Sequence, residues 1–505
     1  MNKLKGKQIK FNPIALLVAL FAVVYAIRMY VVHPWYDELY TYYSFICRGP
    51  VYAGIHWPLP NNHIGYSVLS AFLNFTKSPT IALRGVSYLA SCANIYLVYA
   101  LSKKLLKAED ERVKTSYGLL ASVLYATVNI VHTLAVQGRG YALSTTCFIV
   151  ATMMVYDIAN EEDNKLRWYI IYSIALALGI YLVPSSTFWV IPLCIIGGVY
   201  LLLAGKYKKL MCLIGFSAIA ALIVLSLYGV IWLAIGSNLL SKTDGSGYFG
   251  IYQIDIIKMA PMLSLKTGID YMMASPYIQS IPRQEVLSGL FNYLEALFTQ
   301  FYPFMGIALI VFLSAVGIFS IVRFVMDRSR FLELFIGVQI IALPVLMIIQ
   351  CKAPYLRVYT FFGVVTALAI VWLLSLIKTP KMVAYIFSVA MLMLLMTGSY
   401  NASLGEREDN ILKTLKTFEA AGSSVNEIDD IFYLDDYQKY VIKFYYDLEP
   451  NEVTDISEAK YVMLPSDDMN GVWPFFYSEN DGFREYVYEN FKPITDEAEY
   501  VIYSR

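Results

Sequence analysis

Apolar residues fall along this chain in long blocks with short polar interruptions, and the length of each block decides what it can become. A helix needs about 20 apolar residues to cross a hydrocarbon core. Runs of suitable length lie near 13–32, 81–101, 115–135, 141–158, 168–183, 186–204, 210–235, 303–323, 331–350, 358–377 and 381–398. The stretch 168–204 is too long for one span and divides at Pro184, where proline interrupts a helix. The pattern predicts an α-helical polytopic membrane protein of about 11 transmembrane helices.

The basic residues orient these spans, because cytoplasmic loops collect Lys and Arg. Lys3, Lys5, Lys7 and Lys10 precede the first run, which lacks a small-residue cleavage site and is read as a retained helix. Alternate loops then carry Lys103, Lys104, Lys107, Arg112 and Lys114; Lys165 and Arg167; Lys206, Lys208 and Lys209; Arg323, Arg328 and Arg330; Lys378 and Lys381. Every short basic cluster falls on one side. The expectation is a cell-membrane protein with a cytoplasmic N-terminus and extracytoplasmic segments 33–80, 236–302 and 399–505.

Two domains follow: a transmembrane domain, 1–398, and a small extracytoplasmic α/β domain, 399–505. In the second, IFYLDD, KYVMLP and YVIYS read as strands, separated by helical DYQKYVIKFYYDLE and GFREYVYENF. Ahead of them GEREDNILKTLKTFEAAG reads as an amphipathic helix closed by Gly422. In the outer loops, Ile64, Val68, Leu69 and Phe72 have helical spacing, and IYQIDIIKMAPML and EVLSGLFNYLEALF are amphipathic, so interfacial helices are expected there.

Composition supports this class and removes others. Of 505 residues, 58% are hydrophobic and only 15% charged, against about a quarter charged in soluble domains. The formal net charge of zero gives no reason to expect a nucleic-acid partner. The six cysteines form no CxxC, so neither a zinc site nor a disulfide framework is signalled, and no metal ligands are assigned. Phosphate-binding glycine loops and a GxSxG elbow are absent.

The chemistry is concentrated in HPWYDELYTYYSF, residues 33–45, directly after the first span. Asp37 and Glu38 are ionisable groups at membrane depth, which are functional by default. Adjacent helical residues point about 100° apart, so the two carboxylates serve different roles. His63, in PLPNNHIGY, precedes a predicted helix on the same face and is placed to meet a sugar hydroxyl or a phosphate. Arg84 opens the second span, Arg139 lies in AVQGRGYAL, and Lys352 and Arg357 lie in QCKAPYLRVYTF. These cations break the positive-inside trend, and a shared anion such as a lipid phosphate would compensate them. The pairs Asp429-Asp430, Asp435-Asp436 and Asp467-Asp468 read as solvated turns.

Taken in order, WYDELYTYY, PLPNNHIGYSVL, LRGVSYLASCANIYLVYALSKKLL and QGRGYAL resemble the GT-C class of membrane glycosyltransferases. The match is closest to the protein mannosyltransferase and aminoarabinose-transferase branch and covers roughly residues 13–205. A departure is Asn61-Asn62-His63, where that branch has His-Pro-Pro. The resemblance implies a polyprenyl-phosphate-sugar donor and inverting transfer to a glycan, lipid or protein acceptor, with membrane lipids as further partners. By position it makes Asp37 the base and Glu38 its partner. His63, Arg84, Arg139, Lys352 and Arg357 become substrate-binding residues, and Tyr36 and Tyr40 stack on sugar faces. No cofactor is specified; a divalent cation is a candidate. The alternative is a transporter or lipid-linked-glycan flippase, which would show internal repeats or ionisable groups at mid-span; here the polar residues cluster at one face.

Overall fold

The computed structural model describes residues 12–56, 62–106, 110–241, 251–274, 279–396, 406–425, 431–432, 436–449, 453, 455–466, 482–495 and 500–505. The N-terminal lysines, Lys107, Asn61, Asp429-Asp430, Asp435, Asp467-Asp468 and the boundary at 398 lie outside the described residues.

The chain begins with α1 (Pro13–Val31), followed by the short helices α2 (Tyr36–Ser44), α3 (Pro50–Ile55) and α4 (Ile64–Ala71). Then come α5 (Pro79–Leu105), α6 (Glu111–Thr127), α7 (Asn129–Leu134), α8 (Tyr141–Asn160), α9 (Leu166–Leu182), α10 (Thr187–Leu203) and α11 (Tyr207–Ser241). The second outer segment forms α12 (Ile251–Met259), α13 (Pro261–Met273) and α14 (Arg283–Thr299). The bundle closes with α15 (Gly306–Met326), α16 (Phe331–Gln350), α17 (Phe362–Leu376) and α18 (Lys381–Met396).

Each predicted apolar run is helical, and among the described residues eight helices are long and apolar enough to cross a membrane. The runs 166–182 and 381–395 are apolar but shorter. The run 115–135 is not one helix: it breaks at Val128, where Asn129 and Ile130 donate to the carbonyls of Phe301 and Gln300 (2.8 and 2.9 Å). A break inside a membrane is tolerated when protein satisfies the freed backbone groups. Helix α1 shows how faces are divided. Ile14, Leu17, Phe21, Tyr25 and Met29 are buried, while Leu16, Leu20, Val23 and Ile27 form an exposed apolar stripe facing the lipid.

Basic clusters gather at the end of the bundle where α5 finishes. Lys104 pairs with Asp157 (2.6 Å), and Lys206 and Lys209 donate to carbonyls that end α8. Cations complement a helix C-terminus there. The start of α5 lies at the other end, beside α2. Helix α4 is mostly buried, because a side chain at Gly65 would collide with Tyr181 and the Leu182 backbone. It is packed into the bundle more deeply than a surface-lying helix would be.

The C-terminal region contains α19 (Glu406–Ala420), β1 (Ile431–Phe432), α20 (Asp436–Tyr446), β2 (Tyr461–Pro465), α21 (Phe483–Asn490), β3 (Lys492–Pro493) and β4 (Tyr500–Ser504). The sheet order is β1-β2-β4-β3, with β1 parallel to β2 and the other pairs antiparallel. Strand alternation divides β2: Tyr461 and Met463 pack with α19 and α20, while Val462 and Leu464 pack with α21. Gly422, at φ +91°, follows α19 in the left-handed conformation that closes helices. The small α/β layer is as predicted, with β3 an addition.

This layer does not stand apart. Leu39 of α2 belongs to the same core as Ile411, Leu415, Phe418, Val441 and Ile442. Beside it Glu408 is 3% exposed. Burial, opposed by hydrogen bonds from its own and the Tyr36 N–H and by Arg407, and assisted by Glu38, lifts its carboxyl to about 7. Its ordinary value is 4.5, so the folded state binds the proton more tightly. The stabilising contribution is full below the unfolded pKa and is lost as pH rises through about 7. We expect C-terminal stability to fall by roughly 3 kcal/mol between acidic and mildly alkaline pH. Glu408→Gln should flatten that slope, as read by urea unfolding at stepped pH.

Candidate functional site

Four segments converge at the α2 end of the bundle. Helix α2 starts after Trp35, in extended conformation, and Glu38 reaches back to accept the Trp35 N–H (3.3 Å). The turn of 100° per residue then sends the two carboxylates apart. Glu38 points inward and is 0% exposed. Its oxygens accept from Arg84 Nε and Nη2 (2.8 and 2.9 Å) and from the Gly138 N–H (2.7 Å). Arg84 Nη1 donates to the carbonyls of Met29 and Val32 (2.9 and 2.6 Å). This fork ties α1, α2, α5 and the 137–140 loop together.

Asp37 points the other way and keeps 19% side-chain exposure. Arg357 Nη2 donates to its Oδ2 at 3.1 Å, and Arg139 Nη2 stands 3.8 Å from the same oxygen. Arg357 sits on a 3-10 turn, Leu356–Phe361, that precedes α17. Its guanidinium lies over the rings of Trp35 (4.8 Å) and Tyr355 (4.3 Å) and donates to the Tyr141 hydroxyl (3.1 Å). Aromatic faces and a carboxylate thus hold one cation in place. Arg139 also donates to Thr41 Oγ1 (2.9 Å).

The glycines of QGRG make the loop possible. A side chain at Gly138 would strike Leu83, and one at Gly140 would strike Val183 and the Leu182 carbonyl. Without side chains, the two N–H groups reach Glu38 and His63 Nδ1 (2.7 and 3.0 Å). Ser87 Oγ donates to the carbonyl of Gln137 (2.5 Å) and lies 3.1 Å from that of Arg139.

His63 is buried, and burial with Arg139 and Arg357 nearby holds its pKa well below the ordinary value, so the ring is neutral. A neutral ring has one lone pair. Two donors approach it: Gly140 N–H at Nδ1 and Arg139 Nη2, 3.1 Å from Nε2. With Nδ1 accepting from Gly140, the ring proton lies on Nε2 and faces a guanidinium. This is a donor-rich arrangement that suits an anionic oxygen.

The structure brings together Asp37, Arg139, Arg357 and His63 and places the rest elsewhere. Glu38, expected as the partner of Asp37, has both oxygens taken by hydrogen bonds from Arg84 and Gly138. Arg84, expected among the substrate-binding residues, donates to Glu38 and to two carbonyls. Tyr36 and Tyr40 turn from Asp37 to the C-terminal layer, with Tyr36 4.2 Å from Tyr437 and Tyr40 6.2 Å from Tyr440 between ring centroids. Lys352 follows α16 half-buried, with no ion pair among the described residues. Thr41, Tyr141 and Trp35 join the site without having been assigned there. The GRGY run was the one available signal for Tyr141. A recess beside it is lined by Ser144, Thr145, Ser186 and Thr360.

No group of three or more His, Cys, Asp or Glu stands together among the described residues. Asp37 faces two guanidinium groups, a setting that does not fit a divalent cation.

No family model matches this chain. No curated protein matches it either. Solved structures of the Archaeoglobus fulgidus oligosaccharyltransferase do. Archaeal oligosaccharyltransferase AglB in complex with an inhibitory peptide and a dolichol-phosphate matches at TM-score 0.50 and 14% identity, over 89% of this chain and 69% of that one. The enzyme in complex with Zn and sulfate matches at TM-score 0.46 and 15% identity, over 87% of this chain and 58% of that one. The likeness is one of fold, that of a polytopic helical membrane protein, and this chain spans 58% of the length of the Zn-and-sulfate neighbour.

Removing one partner of a buried pair strands the other charge, at about 3–5 kcal/mol. Glu38→Ala should therefore lower the midpoint of thermal unfolding sharply. Glu38→Met combined with Arg84→Met should lower it less. A Glu38→Ala protein as stable as the parent would mean that Arg84 is compensated elsewhere.

Proposed function

We propose that this protein is an inverting glycosyltransferase. It moves a sugar from a polyprenyl-phosphate donor to an acceptor hydroxyl at the extracytoplasmic face. The observation that carries the reading is Asp37, a partly exposed carboxylate held between Arg139 and Arg357 beside a donor-rich His63. The positive-inside rule supports the location: basic clusters collect at the opposite end of the bundle, as an extracytoplasmic Asp37 end requires. The dolichol-phosphate held by the AglB neighbour is a lipid phosphate of the chemistry this reading calls for.

The cluster suggests an exchange of partners. Two guanidinium groups occupy Asp37, which withholds it from a hydroxyl proton. A lipid phosphate competes for Arg139 and Arg357, forks suited to phosphate oxygens, and accepts from His63 Nε2. Asp37 is thereby released toward the acceptor. The acceptor oxygen bonds to the anomeric carbon as the carbon–oxygen bond to phosphate breaks. The bond electrons leave with the phosphate, the acceptor proton passes to Asp37, and the configuration inverts. Arginines stabilise the charge that develops on the leaving oxygen. The leaving phosphate needs no acid, so one carboxylate is sufficient, unlike in glycoside hydrolysis. No step uses a metal. Aminoarabinose or mannose donors belong to this reading as candidates, as do glycan, lipid and protein acceptors.

The test is transfer of radiolabelled sugar from a panel of polyprenyl-phosphate donors in proteoliposomes. Asp37→Asn should lower turnover by about 10²–10⁴, the range for a general base, while donor binding persists. Arg357→Ala should weaken donor binding itself. Parent-like turnover in Asp37→Asn would remove the base assignment. Binding without transfer in the parent would favour the flippase reading.

A further inference from the structure

The starts of α6 and α18 lie side by side at the basic end of the bundle, opposite to Asp37. Tyr117, buried on α6, fixes their spacing. Its hydroxyl donates to the Thr379 carbonyl (2.9 Å) and lies 3.4 Å from that of Leu374, in the turn that leads into α18. Between the two helices runs a groove of about 230 Å³, lined by Glu111, Arg112 and Thr115 from α6 and by Lys381 and Tyr385 from α18. Glu111 and Thr115, and Lys381 and Tyr385, are four residues apart, so one face of each helix supplies a wall. Nothing in the site around Asp37 uses these residues.

Charge decides what the groove can hold. Glu111 is the one carboxylate in its lining, and that carboxylate pairs with Lys103 at the end of α5. Lys103 is itself seated over the Tyr99 ring, 5.3 Å from its centre. Asp110, outside the lining, caps α6 by accepting the Arg112 N–H (2.8 Å). The side chains of Arg112 and Lys381 are exposed and have no ion pair among the described residues. The groove thus presents two uncompensated cations, a planar fork and a point charge, which together suit the oxygens of a phosphate. An ammonium group would find no free carboxylate in the lining. Thr115 Oγ1 donates to the Glu111 carbonyl (2.9 Å), which leaves its oxygen as an acceptor for a ligand hydroxyl.

Position decides where the phosphate comes from. One and two turns past Tyr385, on the groove side of α18, lie Val389 and Met393, both exposed. Met382 and Ile386 beside them are exposed as well. Apolar side chains bared along a membrane helix face acyl chains. A ligand with an anionic head in the groove and hydrocarbon along this surface has the form of a phospholipid. Basic recesses between membrane helices hold such headgroups.

We propose that this groove is a binding site for one anionic glycerophospholipid of the adjacent leaflet. Its phosphate lies between Arg112 and Lys381, its headgroup hydroxyls reach Thr115 and Tyr385, and its chains run along α18. Spanning both helices, the lipid ties α18 to the bundle from outside. The site is independent of sugar transfer.

The probe is phosphatidylglycerol, titrated onto the delipidated full-length protein in a non-ionic detergent, with bound lipid counted by native mass spectrometry. The parent should retain one phosphatidylglycerol that an equal concentration of phosphatidylcholine does not replace. Arg112→Gln and Lys381→Gln should each weaken binding about fivefold, the worth of one cation near an anionic lipid, and together more than about tenfold. Arg167→Gln combined with Lys208→Gln removes the same charge from exposed positions at the same end. That pair should leave affinity within about twofold of the parent, because a built site outweighs the diffuse field. Glu111→Gln should not weaken binding. The proposal is overturned if the Arg112 and Lys381 double variant binds like the parent. It is equally overturned if the Arg167 and Lys208 pair loses as much, or if phosphatidylcholine binds as well. Inorganic phosphate that displaces the lipid at comparable concentration would overturn the lipid assignment and make this a free-phosphate site.

Discussion

The ion pair of Glu38 and Arg84 is the constraint on which the site is built. Both side chains are buried at 0% and 2% exposure, where an unpaired charge is very costly. The fork therefore cannot loosen without loss. Its hydrogen bonds reach the end of α1 through Met29 and Val32, the start of α5 through Arg84 itself, and the 137–140 loop through Gly138. Of the two arginines that border Asp37, Arg139 belongs to that loop, whereas Arg357 comes from the separate turn before α17.

The second consequence is that neighbouring carboxylates have opposite fates. One residue of helical rotation sends Glu38 into protein and leaves Asp37 at the rim. The structural carboxylate is saturated by four N–H donors. The rim carboxylate is held by two arginines, one of them seated on aromatic rings. This division matches stability to Glu38 and leaves Asp37 for the reactive role in the proposed function. It also explains how a mostly apolar end of a helix bundle tolerates Asp37, Glu38, Arg84, Arg139 and Arg357: each has a partner from a different segment.

The C-terminal layer adds a third surface. Its tyrosines, Tyr437 and Tyr440, receive the aromatic stripe of α2, and its core contains Leu39. A short helix that carries a reactive side chain needs support on both faces. The bundle supplies one and the C-terminal layer the other, which accounts for the unusual density of tyrosine in both partners.

Much of this was written locally in the chain. Apolar run length predicted the long helices of the bundle but not the break at Val128, Pro184 marked a real break, local pattern predicted β1, β2 and β4 but not β3, and Gly422 marked the end of α19. Those features depend on neighbours within a turn or a strand, so the sequence carries them alone. Asp37, Arg139 and Arg357 were also singled out by the cost of a charge at membrane depth, and His63 by its place before a predicted helix on the same face. The partner of each charge was not legible. Glu38 and Arg84 are 46 residues apart, and Asp37 and Arg357 are 320 apart; no local rule pairs them. The stripe of Tyr36 and Tyr40 was visible as aromatic, yet whether it meets a sugar or a protein depends on what packs opposite. Local sequence determined which elements form, and tertiary packing decided which charges meet, since burial and pairing are properties of the assembled fold.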